Sequence, residues 1–499
     1  MRMLAEESKG QAPMSDMTLN YHLMHPGGDS GPGDPNAAFY LDGVYHLHYI
    51  LAHPWKDERS YSFIHVTSTD MLHWTWQTTK LQPSFTSHGM FSGTGFITKE
   101  GKPAAIYAGL SEPRNTFIAI AKDNDLGSWE KPWPVQPKGG PDGKDMGLLR
   151  DPDCFRIGDT YYAFSASDGV LLCKSTDLIN WTYVGPFMQH EMLDVALGED
   201  ISCANFFQLG NKWMLLCISH PLGCRYYIGD WDAEAEQFVP EAHGRMNFRR
   251  EAQPVYGLGH RTDFFAPESV LTPDGRRVMW AWLHSAGPDA ALSQKTIQSL
   301  PRELSLSNDG ALRIQPLREI EGLRHDPVSL SDIALSTPIT GISDPVPPAS
   351  GEARQRLAEL DSDSCEIRIV IPREEGLRKL FGFVLFVDDN GDGLPIILRP
   401  ETGTLRVGTT EAPFAVADLP EDEDVELRIF IDKYLVEVFA NSRQAVLAAH
   451  MDYAGKTGLD AFTVGAPTTI KSVDIWKLKP TNQGFLEARE NRIWEPSTQ

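Results

Sequence analysis

Residues 175–181 read STDLINW, and the phrase recurs upstream as STDMLHW at 68–74 and more loosely as DNDLGSW at 123–129. The closing tryptophans, Trp74, Trp129 and Trp181, stand 55 and 52 residues apart. A fixed period of that size marks a supersecondary unit that cannot bury its apolar face alone. A second signal runs in phase with the first. Turn glycines precede an aromatic or aliphatic strand at Gly43 (DGVYHLHY), Gly101 (EGKPAAIYAG), Gly158 (IGDTYYAFSAS), Gly210 (LGNKWMLLCIS) and Gly275 (DGRRVMWAWL). Five units of about four short strands, with little helical periodicity, predict an all-β chain that opens as a five-bladed β-propeller. The repeating tryptophans then belong to blade cores. Trp55 and Trp133 stand outside the repeat and read as loop residues with rings free to stack.

The propeller pattern spans 20–315, after an N-terminal segment 1–19. It breaks at 316–350, a Pro- and Ser-rich stretch that reads as a linker. Period-two alternation then returns in CEIRIVI, KLFGFVLFV, GLPIILRP, VELRIFI and YLVEVFA, so 351–480 is expected to form an antiparallel β-sandwich. Residues 481–499 read as a C-terminal tail. The 499-residue chain carries a net charge of −23, which argues against nucleic acid or an anionic membrane surface as partner. No apolar run approaches the roughly 20 residues that span a bilayer. The segment MRMLAEESKGQAPMSDM lacks the apolar core of a secretory signal, so a cytoplasmic location is expected, or a secreted one if a leader has been removed. Six cysteines in so long a chain do not form a disulfide framework. Cys217 and Cys224, flanking His220, read as buried free thiols rather than a disulfide or metal site. His22, His25 and His53 lack convincing ligand spacing, and neither metal nor cofactor is expected.

Counting back from each turn glycine locates the start of each innermost strand. Asp34 lies nine residues before Gly43, Ser92 nine before Gly101, and Asp151 seven before Gly158. The fourth unit offers Glu199, Asp200 and Ser202, the fifth Asp263. First strands line the central channel of a propeller, so these positions converge on one funnel. Crowded carboxylates push their pKa values apart, leaving one ionised and another protonated. An ionised acid and a proton donor about 5 Å apart are the equipment of a retaining glycosidase. The proline after both Asp34 and Asp151 favours an extended backbone for the acid before it.

The motifs DPNAAFY, YHLHY, FSGTGF, RDPDCF, SCANFF and LPRELSL, in that order, resemble those of glycoside hydrolase family 32, the β-fructosidases. The C-terminal LRIFIDKYLVEVFANSRQAVLAAHM is similar to the sandwich of the same family. The resemblance covers roughly 20–480 and implies a propeller joined to a sandwich. It also implies a cofactor-free retaining hydrolase releasing terminal β-linked fructose from sucrose, fructo-oligosaccharides or fructans. In it Asp34 matches the nucleophile and Asp151 the residue that stabilises the oxocarbenium-like transition state, with Arg150 orienting the carboxylates. Phe91 and Ser92 match a motif lining the fructose subsite, Asp263 a substrate-contacting acid, and Asn36 offers a hydrogen bond to sugar or nucleophile.

The chain departs from the family pattern in three places. Ala37 follows Asn36 where glycine is frequent, and Phe63-Ile64 stands where Trp-Gly is frequent. The third departure concerns the general acid, a Glu directly before Cys-Pro-Asp; here Ser202 precedes Cys203-Ala204-Asn205. A serine cannot replace that acid at ordinary pH. Glu199 is the expected general acid, with Asp200, which shares Ser202's face on a regular strand, or a residue from elsewhere as alternatives. A fructosyltransferase on the same scaffold, an inverting furanosidase, and a sugar-binding protein that has lost catalysis remain as other readings. A homodimer through the sandwich is compatible with all of them.

Overall fold

The computed structural model describes residues 17–499 apart from 28–30, 111–113, 166–169, 190, 191, 193, 196–198, 221, 247–260, 287–295, 337–351, 378–380 and 465. The chain divides into two compact units. One holds residues 22–321, 442–445 and 481–499, and contains five antiparallel sheets in chain order. The innermost strands are Pro35–Leu41, Met90–Ile97, Asp153–Ile157, Ser202–Leu209 and Arg261–Leu271. Each lies against the next, and the fifth returns to the first, so the five sheets close into a propeller.

The repeats that announce the fold have local physical causes. All five turn glycines adopt positive φ, from +58° at Gly158 to +90° at Gly43, in the turn between first and second strands. In STDMLHW and STDLINW the aspartate caps the turn. Asp70 Oδ1 accepts the Leu72 and His73 N–H groups at 2.9 and 2.8 Å, and Asp177 Oδ1 accepts those of Ile179 and Asn180 at 2.9 and 2.8 Å. Trp74, Trp129 and Trp181 are buried, as blade-core residues are. Apolar clusters fill the gaps between neighbouring blades. Phe39 and Ile50 of blade one meet Tyr107 of blade two, Ile106 of blade two meets Tyr161 of blade three, and Phe164 of blade three meets Phe206 of blade four.

Polar side chains tie the inner strands together around the ring. Asn36 Oδ1 accepts the Gly93 N–H at 2.8 Å, and the Thr94 hydroxyl donates to Asp153 Oδ1 at 2.5 Å. Asp153 Oδ2 accepts the Phe206 N–H at 2.6 Å, and the Ser269 hydroxyl donates to Asn205 Oδ1. Gln298 Nε2 of blade five donates to the Gly33 carbonyl at 2.7 Å, completing the circuit beside Asp34.

The other unit, residues 1–21, 322–441 and 446–480, is a sandwich of two six-stranded sheets. Ile367, Ile369, Val436 and Val438 of one sheet share a core with Phe383, Ile396, Leu398 and Leu405 of the other.

The expected boundaries need correction. The stretch 316–350 is not a plain linker: Arg318–Leu323 forms a 3-10 helix, and Arg324–Leu335 is a sandwich strand paired with Thr468–Leu478. Its largely exposed side chains, half of them polar, hid that strand from a reading based on alternation. Residues 337–350 of the expected linker lie outside the described residues. Of the N-terminal segment, Met17 is tied into the sandwich, its carbonyl accepting the Tyr434 hydroxyl at 2.8 Å. The tail at 481–499 belongs to the propeller, where the Thr79 hydroxyl donates to the Trp494 carbonyl at 2.6 Å. Trp55 and Trp133 are not loop residues: they end Val44–Trp55 and open Trp133–Val135.

Replacing Thr94 with valine removes the hydroxyl that Asp153, buried and raised to about 6, accepts. The expected cost is about 1–3 kcal/mol. A Thr94→Val variant should melt several degrees below wild type, with a larger gap at pH 8, where Asp153 is ionised, than at pH 5.

Candidate active site

The funnel end of the inner strands carries bulges rather than regular ladder. The register between first and second strands slips between Asn36 and Phe39, Met90 and Gly93, Ser202 and Asn205, and Phe265 and Pro267. Asp151 and Cys203 adopt φ of +43° and +45°, a region that costs a non-glycine residue energy and clusters at functional sites. These bulges re-aim side chains into one spot.

Three residues expected at the site converge there. Asp34 is 5% exposed, and the Ser92 hydroxyl donates to its Oδ2 at 3.4 Å. Its Oδ1 is buried with no hydrogen-bond partner among the described residues. Burial, and then the charge of Asp151, push the Asp34 carboxyl from 3.8 to about 7. Asp151 is also raised, chiefly by burial, against the hydrogen bond from the Cys203 N–H at 3.4 Å. Between the two acids stands Cys203, its Sγ 3.9 Å from an oxygen of each and 4.0 Å from Ser92 Oγ. Burial, then the two carboxylates, hold this thiol well above its ordinary range. It is a neutral spacer there rather than a nucleophile.

A hydrogen-bonded chain runs outward from the bulge. The Ser202 hydroxyl donates to Asp200 Oδ1 at 2.7 Å, while Asp200 Oδ2 accepts both the backbone N–H of His220 at 2.8 Å and its Nδ1 at 2.5 Å. Burial alone would raise Asp200; the bonds from His220 and Ser202 overcome it and hold the carboxyl below its usual value. The His220 side chain is 57% exposed, and its positive charge lowers both Asp34 and Asp151. Its ring lies edge-on to Phe265, with centroids 5.5 Å apart.

Other expected residues are placed differently. Glu199, the expected general acid, is not in this cluster: its carboxylate forms an ion pair with Arg225, and the two side chains are 1% and 3% exposed. A strand start puts neighbouring side chains on opposite faces, and Glu199 took the blade interior while Asp200 took the funnel. Arg150 is exposed, its backbone N–H bonds Ser165 Oγ at 3.2 Å, and the cation acting on the two acids is His220 instead. Asn36 spends its amide on backbone, its Nδ2 donating to the Asp34 carbonyl at 2.6 Å and its Oδ1 accepting from Gly93. Phe91 is half-buried and packs edge-on against Tyr61. Asp263 has no exposed surface to offer a sugar and lies with Oδ2 3.8 Å from His284 Nδ1. Cys217 and Cys224 are buried free thiols, and His220 is turned to Asp200.

Two members of the site, Cys203 and His220, were missed, yet both left a trace. Cys203 stands two residues before Asn205, just as Asp34, Ser92 and Asp151 stand two before Asn36, Thr94 and Asp153. Continuing the Ser202–Ile218 register two residues outward sets His220 opposite Asp200.

Comparison with known proteins agrees with this architecture. Residues 32–316 match the N-terminal domain of glycosyl hydrolases family 32, and residues 329–477 match the family's C-terminal domain. The chain belongs to glycosyl hydrolase family 32. Among curated members, it is 28% identical to the raffinose invertase of Escherichia coli over 92% of this chain and 94% of that protein. It is 27% identical to the levanase of Bacillus subtilis over 89% of this chain and 68% of that protein. The solved fructan 1-exohydrolase IIa of Cichorium intybus superposes with a TM-score of 0.72 at 18% identity, over 94% of this chain and 98% of that one. This member of the family carries Ser202 directly ahead of Cys203.

Burying Asp34 has a cost that pH reveals. A carboxyl raised to about 7 in the folded state contributes stability that is full below its unfolded value of 3.8 and lost as pH rises through about 7. A shift of that size corresponds to something on the order of 4 kcal/mol. Asp34→Asn should therefore melt above wild type at pH 8, with the difference shrinking toward pH 5 in a thermal-denaturation series.

Proposed function

We propose that this protein is a retaining, exo-acting β-fructosidase that releases terminal fructose from sucrose, fructo-oligosaccharides or fructans. The observation that carries the reading is Asp34 itself: a buried carboxylate at the funnel mouth with one oxygen held by Ser92 and the other unpartnered. In this reading the Asp34 carboxylate attacks the anomeric carbon. Asp34 adds to the carbon as the glycosidic bond breaks, giving a covalent fructosyl-enzyme, and water then releases fructose with the original configuration. Asp151, across Cys203 from Asp34, lies where positive charge develops on the sugar ring and stabilises it electrostatically. The rigid inner strands hold both acids in place before substrate arrives.

The names of the relatives point the same way, since an invertase and a levanase both act on fructosides. Neither carboxylate requires a cofactor for this chemistry.

Free fructose released from sucrose, short fructo-oligosaccharides, inulin and levan tests the proposal. Wild type should release it from at least one of these, and Asp34→Asn should reduce release by at least about 1,000-fold on every substrate. Because the nucleophile must be ionised in free enzyme, kcat/KM should fall as pH drops through about 7. Fructose release undiminished in Asp34→Asn would remove Asp34 from its role.

A further inference from the structure

Asp34 reaches the funnel from a bulge that its own sequence does not favour. Asn36 pairs with His48 and Phe39 with His46, so Ala37 and Ala38 together oppose Leu47. Within that bulge Ala37 adopts a φ of +31°, a region that a residue with a Cβ enters at a cost and glycine enters freely. The alanine is buried, so the peptide groups that the bulge lifts out of the ladder must find partners within the protein. Ala37 stands three positions after Asp34. Between them, Asn36 donates its amide to the Asp34 carbonyl at 2.6 Å, an oxygen that also accepts the Ile50 N–H at 3.0 Å. The backbone that sets the Asp34 carboxylate is thus continuous with the strained peptide.

A single side chain grips that peptide. His48 Nδ1 lies 2.8 Å from the Ala37 carbonyl oxygen, which can only accept, so the ring carries its proton on Nδ1 and donates it. Burial keeps the imidazole neutral by lowering its pKa to about 4. The His65 ring stacks on it, with centroids 4.6 Å and planes 9° apart, and His65 is itself bonded to His46 at 2.9 Å. Phe39 and Trp129 meet the His48 ring edge-on, with centroids 6.3 and 6.5 Å away. From the second blade Gly95 crowds the bulge, since a Cβ there would come 3.0 Å from the Ala37 Cα. A locked donor and a close neighbouring backbone leave the Ala37 peptide little room to turn.

We propose that His48 is a positioning residue for catalysis, its hydrogen bond to the Ala37 carbonyl holding the bulge in the strained form that aims the Asp34 carboxylate at the anomeric carbon. The inference rests on the fructosidase reading given above. His48 is buried and acts through the backbone between Ala37 and Asp34 rather than on the sugar. Strain of this kind persists only where the surroundings over-determine it, and here the ring stack and the buried hydrogen bond do so. His48 and Ala37 are therefore a matched pair: an alanine with positive φ needs the donor, and a glycine would not.

That pairing supplies the test. His48→Phe keeps an aromatic ring for the stack and removes the donor. With Ala37 in place, it should lower kcat for fructose release by about 10- to 100-fold while KM changes less than about 3-fold, because a misaimed nucleophile weakens the transition state and not ground-state binding. In an Ala37→Gly background the same substitution should lower kcat by less than about 3-fold, since glycine takes the bulge conformation unaided. Wild type, both single variants and the double variant are assayed well below their melting temperatures, so that lost folded protein does not pass for lost kcat. An equal fall in kcat in both backgrounds would make His48 a packing residue and overturn the assignment. No fall, or an effect confined to KM, would overturn it too. Should His48→Phe alone fail to fold, the double variant decides: folded, with kcat close to that of Ala37→Gly, it supports the pairing, and unfolded it overturns it. Wild type releasing no fructose from sucrose, fructo-oligosaccharides, inulin or levan would instead overturn the fructosidase reading, and this inference with it.

Discussion

Around the propeller channel, the polar side chain two residues after each funnel-facing position reaches for a neighbouring blade, and the geometry of the site depends on that alternation. Asp34, Ser92, Asp151 and Cys203 face the funnel, while Asn36, Thr94, Asp153 and Asn205 bond across to the next inner strand. Because strand side chains repeat every second residue, the same short peptide supplies both a reacting group and the clamp that fixes it. A carboxylate set on such a frame keeps its position without spending substrate binding energy on ordering it.

The same frame explains how groups of like charge are kept together. Asp34, Asp151 and Asp153 are each raised by burial; hydrogen bonds restrain the shift in all three, with the charge of His220 acting on the first two and that of Arg277 on Asp153. Asp200, a few residues away, is moved in the opposite direction by its bonds to His220 and Ser202. Acids with divergent environments in one pocket are what general acid–base chemistry requires. A rigid β scaffold tolerates the resulting electrostatic strain because its stability comes from the apolar seams between blades.

The propeller was legible because its signals are local: a glycine that must adopt positive φ, an aspartate that caps a turn, a tryptophan that fills the blade beneath it. Asp34, Ser92 and Asp151 were legible because the repeat carries phase. Glu199 was misplaced although regular alternation already sets Asp200, not Glu199, on the face of Ser202, and the structure keeps that alternation. Arg150 was assigned by adjacency to Asp151, yet its side chain remained in solvent and a histidine in the turn after Lys212–Ser219 of the fourth blade supplied the charge. His220 could be found only by extending the register across a hairpin. The strand Arg324–Leu335 was missed because half of its residues are polar and its apolar pairs, Val328 with Leu330 and Ile333 with Leu335, break phase between them.

The C-terminal tail alters how the two units can be separated. Residues 481–499 return to the propeller, where the helix Gln483–Asn491 leads to a buried Trp494 whose ring meets His25 with centroids 4.4 Å apart. Beyond it, the Thr498 carbonyl accepts the Lys56 N–H at 2.7 Å. In chain order the propeller unit resumes after the sandwich, and the sandwich in turn takes the segment that precedes the first blade, through Met17. A single cut after the last blade strand therefore deletes a wall of blade one along with the sandwich. Recombination among relatives can exchange the sandwich cleanly only if the segment ahead of the first blade travels with it, which ties the inheritance of the two units together.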